Sequence, residues 1–386
     1  MKTNTYDIII AGAGLSGLSL AYYLAEAGYK GNVLIVDKSF APINKKTWCF
    51  WTKETPPFQK LMYHQWNKAY FSGLDFDSFL YMKEHTYYCL RESDFKEYIL
   101  TKLKRLSNFH LLEEGILDFS ISKKKVVLIT KNSDTYIADY AFQSIIKPDS
   151  AKKKHLKYPL IQHFLGAEVV ATDPIFDPTT FTIMDLDEDF EDGFGFMYVL
   201  PFTRHHALFE YTVFSEETLK KKVYKKKIRK FLKSHYSLKK KDYKVLRTEK
   251  GKIPMDDRSF SPELETGIFN IGTVGGLTKA STGYTFLRVQ RFSKILADQL
   301  VKGEKPSINP ASSPRFRYYD KLLLHILSNS IPESHKTFHH LFKNNHIDSV
   351  FDFLNEDTNF FDDLKIMSSV PSMPFLKAIS KNLPGY

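Results

Sequence analysis

Apolar and polar positions alternate with different periods along this chain, and each period predicts a different kind of element. Residues 6–11 are a β-rich apolar run ending at glycine, the pattern of a parallel strand buried on both faces. Over Leu15–Glu26 the apolar positions Leu15, Leu18, Tyr22 and Ala25 recur at helical spacing, and Gly28 is a suitable C-terminal stop. Residues 33–36 read as a second strand, closed by Asp37. Together they predict a βαβ unit of about 30 residues. Residues 88–106 read as a helix and 107–145 as short strands and turns.

The second half changes character. Between residues 157 and 215, apolar and aromatic runs alternate with Pro, Asp and Gly, which predicts an antiparallel sheet with strands at 161–170, 181–184, 196–200 and 206–214. Residues 218–235 follow as an amphipathic helix, with Leu219, Val223, Ile228, Phe231 and Leu232 on one stripe and lysines elsewhere. A strand-then-glycine pattern returns at 267–272, a helix is predicted over 283–300, and the tail from Arg315 is helical and rich in Phe and Leu. The expected architecture is α/β: an N-terminal Rossmann-like domain built from 1–156 and 251–310, an α+β second domain with an antiparallel sheet over 157–250, and a helical region over 311–386.

Composition narrows the function classes. Of 386 residues, 43% are hydrophobic and 26% charged, a globular balance that excludes disordered and fibrous proteins. The net charge is +11, yet residues 220–252 hold sixteen Lys and Arg against only Asp242 and Glu249, leaving the rest of the chain slightly acidic. A nucleic-acid-binding protein spreads its charge over a groove-sized surface, so nucleic acid is not the expected partner. The two cysteines, Cys49 and Cys89, are far apart in sequence and no ligand cluster has metal spacing, so neither a zinc site nor a disulfide scaffold is expected. Residues 8–25 are uncharged for long enough to span a membrane. Their Gly and Ser content fits a nucleotide-binding turn better, and with no signal-peptide pattern the expectation is a cytoplasmic protein.

That turn is Gly12-Ala-Gly14-Leu-Ser-Gly17, a G-x-G-x-x-G. Gly12 permits the tight strand-to-helix turn, Gly14 lets the backbone approach a pyrophosphate, and Gly17 allows close helix–strand packing. The phosphates would sit at the positive end of the following helix. Asp37 is placed to bond an adenosine ribose, with Lys38 beside it as a further contact. The later turn Gly272-Thr-Val-Gly275-Gly276 follows a strand, and it favours FAD over NAD because FAD proteins close such a turn over the flavin. Arg91, after Tyr88, occupies the position of a flavin-contacting arginine.

With these blocks in view, the chain resembles the lycopene cyclases, the carotenoid ring-forming flavoproteins of bacterial and plant type, over nearly its whole length. The resemblance rests on Lys46-Thr-Trp48-Cys-Phe-Trp51, Leu160-Ile-Gln-His163-Phe-Leu-Gly166, Phe181-Thr-Ile-Met184-Asp185, and Tyr198-Val-Leu-Pro201-Phe202 followed by Leu208-Phe-Glu210-Tyr-Thr212. It rests further on Gly251-Lys-Ile-Pro254-Met255 and, most specifically, Lys279-Ala-Ser-Thr282-Gly283-Tyr284, whose Thr282 and Gly283 join the cofactor-binding set.

The resemblance implies a non-redox cyclisation of lycopene to β-carotene that needs reduced FAD, with NAD(P)H as reductant. Glu210 is the expected proton donor, on a strand face with Leu208, Thr212 and Phe214 whose apolar neighbours should raise its pKa. Where plant members carry a second acid the chain has Tyr211, so the division between acid and base stays open. Trp48, Trp51, Asp185 and Tyr211 are candidate pocket residues, with Asp187 a secondary polar candidate; for the two tryptophans core packing is an equal alternative. Because lycopene resides in membranes, the basic helix, aided by the C-terminal helices, is expected to dock on an anionic membrane surface. A flavin monooxygenase or halogenase fits less well, since the mid-chain Asp-Gly motif of the first and the W-x-W-x-I-P of the second are absent. A geranylgeranyl-type reductase and a non-enzymatic carotenoid carrier stay as alternatives.

Overall fold

The computed structural model describes residues 5–44, 46–145, 156–186, 193–308 and 312–382. Asp187 lies outside them. Elements are numbered in chain order.

The nucleotide-type sheet forms first. Strand β1 (Thr5–Ala11) runs parallel to β2 (Val33–Asp37) on one side and to β11 (Thr135–Gln143) on the other. Ile8, Ile9, Ile10 and Ala11 are fully buried, because helices and strands cover both faces. β8 (Phe109–Glu113) extends the sheet beyond β2, and β18 (Ile268–Asn270) extends it beyond β11, with the short β17 (Glu263–Glu265) at the edge. The hairpin β9 (Ile116–Ser122) and β10 (Lys125–Thr130) hangs from β11. Helix α1 (Leu15–Glu26) packs against α4 (Phe286–Val301), where Gln290 donates to the Ser19 hydroxyl at 2.9 Å. This is the α/β unit expected from the βαβ pattern and its late return.

The second sheet has seven strands in the order β16-β12-β15-β14-β13-β5-β6. Its centre is β12 (Leu160–Ala171), β13 (Phe181–Leu186), β14 (Phe194–Pro201) and β15 (His206–Ser215), the predicted antiparallel strands. β16 (Tyr243–Met255) closes one side. The other side recruits β5 (Lys68–Gly73) and β6 (Phe76–Tyr81), with β5 parallel to β13. Residues 68–81 precede β11 in sequence; β5 pairs with β13, more than a hundred residues later, and carries β6 with it as the edge strand.

A small third sheet orders β3 (Thr47–Thr52), β7 (Thr86–Arg91) and β4 (Met62–Trp66). It explains one departure from the sequence reading. Residues 88–91 end strand β7 and do not begin a helix; Tyr88, Cys89 and Leu90 are buried, and α2 (Glu92–Leu103) starts only after Arg91, its extended N-cap. The two cysteines, remote in sequence, face each other across β3 and β7 as free thiols. Helix α4 likewise starts at Phe286, not at residue 283, because Gly283 takes a φ of 74° in the left-handed region and cannot open a right-handed helix.

The two faces of the seven-stranded sheet are covered differently. Helix α3 (Lys221–Tyr236) lays Tyr224, Ile228 and Leu232 on one face, against Leu165, Val199, Phe209 and Val213, and its lysines point outward. The other face meets the C-terminal helices α5 (Pro314–Asn329), α6 (Ile331–Asn344), α7 (Ile347–Asn355), α8 (Phe360–Ser368) and α9 (Ser372–Lys381). No helix among the described residues is long and apolar enough to cross a membrane.

Candidate active site

The glycine loop between β1 and α1 has the geometry its sequence demands. Gly12 takes a φ of 106°, and a Cβ on Gly17 would lie 1.9 Å from the Gly12 carbonyl oxygen. A Cβ on Gly14, by contrast, would meet no atom within 4 Å. Gly14 is also the N-cap of α1 and no side chain caps that helix, so its first N–H groups remain available to an anion. Asp37 Oδ2 accepts from the Ala13 N–H at 2.6 Å and Oδ1 from the Ser39 N–H at 3.0 Å, so this carboxylate braces the loop. Lys38 is exposed beside it. The second glycine turn closes against the first: a Cβ on Gly272, at φ 69°, would strike the Ser16 hydroxyl at 2.4 Å. Gly276 takes a φ of 76° and ends the short helical turn Gly272–Gly275, where a Cβ on Gly275 would lie 2.4 Å from the Asn270 carbonyl oxygen.

A cavity of about 600 Å³ runs from this cradle to the second sheet. At the cradle end it is lined by Gly14, Leu15, Ser16 and Thr273, and in the middle by Trp48, Cys49, Thr282, Gly283 and Tyr284. Its far half is apolar, walled by Phe164, Phe196, Leu208 and Phe214 of the sheet and by Phe338, Leu341, Ile366 and Phe375 of the helices. Gln162 Oε1 lies beside Gly283 in the middle of the cavity, buried with no hydrogen-bond partner among the described residues.

Strand alternation sorts the predicted residues between the two faces. Glu210, with Leu208, Thr212 and Phe214, faces the cavity and is 8% exposed. Burial pushes its carboxyl well above the usual range, the neighbouring charge of Glu249 pushes the same way, and the Thr212 hydroxyl, donating at 3.0 Å, opposes them. Tyr211 points the opposite way, into the core beneath α3, under Lys227. It is no part of the cavity, for the reason that its neighbour Glu210 is. Asp185 is likewise absent from the cavity wall and sits 3.6 Å from His235 of α3. Trp48 lines the cavity. Trp51 does not: it stacks on Phe351 of α7 and donates to that residue's carbonyl at 3.1 Å.

Arg91 also stands outside the cavity wall. Its guanidinium stacks 3.5 Å from the centre of the Tyr63 ring and donates to Glu168 at 2.7 Å. Glu168 in turn accepts from His206 at 2.6 Å and pairs with Arg247. Burial acts to raise the Glu168 carboxyl, but His206, Arg247 and Arg91 outweigh it and hold the group at about 2.

Two groups went unread in the sequence. Glu249 counted only as one of two acids in a basic stretch, yet it is 4% exposed, lines the cavity and is held by Arg247 and by the Thr47 hydroxyl at 2.8 Å. Lys279 is 3% exposed between Asp320 at 2.8 Å and Glu356 at 2.9 Å, tying the loop that carries Thr282 and Gly283 to the C-terminal helices. The alternate neighbours of Glu249 on β16 are Arg247 and Gly251, so no apolar face marked it in the sequence. Lys279 stood in the Lys279–Tyr284 block without a role, because its partners Asp320 and Glu356 are 41 and 77 residues away in sequence.

The family model described as "Lycopene cyclase protein" matches residues 7–380. This chain belongs to the lycopene cyclase family. A search of curated proteins gave no match. Among solved structures, the family member is similar to a geranylgeranyl bacteriochlorophyll reductase-like protein from Thermoplasma acidophilum, with TM-score 0.60 and 14% identity over 99% of this chain and 97% of that one. It is also similar to a variant of the flavin-dependent brominase Bmp2, with TM-score 0.62 and 14% identity over 97% and 99%. A variant of the halogenase PltM in complex with FAD matches with TM-score 0.58 and 15% identity over 98% and 87%. At such identities the likeness is one of fold: the α/β architecture of flavoproteins, here carried by a member of a carotenoid-cyclising family.

Proposed function

We propose that this protein closes the acyclic ends of lycopene into β-ionone rings, giving β-carotene by acid catalysis without net redox change. One observation carries the reading: Glu210 is a buried carboxyl, its pKa pushed upward by that burial, on the wall of a cavity whose far half is apolar. Each ring requires protonation at C2, attack of the C5–C6 double bond on the cation at C1, and loss of a proton from C6. Protonating an alkene requires a positioned acid that keeps its proton near neutral pH and is shielded from water. The aromatic side chains of Phe196, Tyr198, Phe214 and Tyr284 line the same space, where their π systems would attract the developing cation. Burial raises the phenols of Tyr198 and Tyr284, so they add no negative charge that would trap it.

The cradle suits FAD. The uncapped N-terminus of α1, the open side of Gly14 and the unpartnered Gln162 Oε1 would hold its pyrophosphate and polar ring atoms. Reduced FAD, when bound, supplies an anionic ring system that offsets substrate cation charge, with NAD(P)H as the proposed reductant. Helices α8 and α9 give Ile366 and Phe375 to the cavity, and they also present Phe361 (80% exposed), Met373 (62%) and Leu376 (55%) outward beside Lys365 and Lys377. We assign this apolar face, whose Lys365 and Lys377 stand against one exposed acid, Asp362, to an anionic membrane surface from which the substrate enters.

Expression in lycopene-accumulating cells, followed by pigment analysis, tests the activity. β-Carotene is expected with the native chain, and unchanged lycopene with Glu210→Gln that still copurifies with flavin. Unchanged lycopene beside flavin-loaded native protein refutes the reading, and polyenes with fewer double bonds would replace it with a prenyl-reductase activity.

A further inference from the structure

Glu249 stands beside Glu210 because a glycine separates them. β15 and β16 are not neighbours; β12 lies between, and its Gly166 pairs with Glu210 on one side and Glu249 on the other. A Cβ on Gly166 would lie 2.9 Å from Glu249 Cγ and 3.6 Å from Glu210 Oε2. Over this bare stretch of backbone the two carboxyls lean within hydrogen-bonding reach of each other. Both line the cavity.

In the resting site, with no substrate cation beside them, two carboxyls this close and this buried do not both ionise. Their surroundings decide which keeps the proton. Glu249 accepts from the Arg247 guanidinium and the Thr47 hydroxyl. Among the described residues, Glu210 has the Thr212 hydroxyl and no ion-pair partner. The other groups around the pair are Cys49 on β3, Tyr198 on β14, Tyr284 of the connecting loop, and Glu168 beyond Arg247. Burial raises both carboxyls, but only Glu249 has a guanidinium against it, which favours the negative charge on Glu249 and the proton on Glu210.

We propose, on the cyclisation reading above, that Glu249 is the catalytic base and that Glu210 and Glu249 form a self-resetting acid–base pair. Glu210 gives its proton to C2, forming a C–H bond and leaving a carboxylate. The C5–C6 π electrons then form the C1–C6 bond, which leaves the positive charge on C5. The Glu249 carboxylate takes the C6 proton, and the electrons of that C–H bond become the C5–C6 double bond of the ring. Glu249 finally returns its proton to Glu210 across their hydrogen bond. No electron is gained or lost, and no proton need enter from water. C2 and C6 are both bonded to C1 in the new ring, close enough for a donor and an acceptor that stand side by side to reach both.

The test combines infrared titration of the purified protein, without lycopene, with turnover measurements. A carboxylic-acid C=O band that disappears in Glu210→Gln identifies the proton on Glu210. In Glu249→Gln the neighbouring negative charge is gone, so this band should give way to carboxylate at lower pH than in the native protein; in Glu249→Asp the midpoint should fall between. Turnover should fall about 100-fold or more in Glu249→Gln and recover partly in Glu249→Asp. An unmoved midpoint in both variants overturns the pair, and native turnover in folded Glu249→Gln overturns the base. A shifted band in a native protein that makes no β-carotene leaves the pair standing and removes the cyclisation reading instead.

Discussion

Gly166→Ala places a methyl group where the two carboxyls meet, and its effect can be worked from the contacts. The added carbon would lie 2.9 Å from Glu249 Cγ and 3.1 Å from Leu208 Cδ1. Comfortable carbon–carbon contacts are about 3.5–4.0 Å. Leu208 can turn away at its flexible end. Glu249 is tethered by Arg247 and Thr47, so its carboxyl must shift by most of an ångström or release them. A displacement of about 1 Å in a reacting group can cost roughly 100-fold in rate. Overpacking costs about 1–3 kcal/mol, and replacing glycine by alanine inside a strand returns about 0.5–1 kcal/mol, so the chain should still fold. The assay is β-carotene formation from liposomal lycopene with reduced FAD, run beside thermal unfolding of the same preparation. The expected outcome is about a 100-fold slower reaction in a folded protein. Native turnover in Gly166→Ala would show that the close approach of Glu210 and Glu249 has no part in the chemistry.

Other consequences are as direct. Glu168, 3% exposed and held near 2 against an ordinary 4.5, contributes roughly 3 kcal/mol of stability. A depressed folded pKa means that this stability is present above about pH 4.5 and is lost as pH falls toward 2. In urea unfolding, Glu168→Gln should therefore be about 3 kcal/mol less stable at pH 7, with the gap closing below pH 5; parallel pH curves would refute this. Tyr211→Phe, on the sheet face under α3, should keep turnover within about twofold, and a tenfold loss would put the reacting end on the wrong face. In flotation with anionic vesicles, replacing Phe361, Met373 and Leu376 together by serine should weaken binding more than replacing Lys221, Lys222, Lys225 and Lys226 by glutamine. The reverse ranking would move the membrane contact to α3.

Much of the fold was legible because its signals are local. Hydrophobic period, glycine spacing and the acid closing β2 marked the βαβ unit, and alternation marked β12 to β15. The same alternation placed Glu210 on the face of Leu208 and Phe214; applied to Tyr211 it would have taken that residue out of the pocket candidates, because Tyr211 falls on the other face. Residues 88–91 misled because an apolar run leading into a helix reads like that helix, and only pairing with β3 and β4 shows it to be a strand.

By itself, the sequence determined the glycine cradle, the order of the major elements, the outward lysine face of α3 and the strand face on which Glu210 lies. Only the tertiary structure decided who stands beside whom. It brought residues 68–81 into the second sheet, set Cys49 against Cys89, drew Arg91 onto Glu168, and seated Lys279 between Asp320 and Glu356. It also placed Glu249, thirty-nine residues after Glu210, on the same patch of cavity wall across Gly166. The reason is physical: side-chain period follows from local backbone geometry, whereas strand neighbours follow from how the whole chain buries its apolar faces.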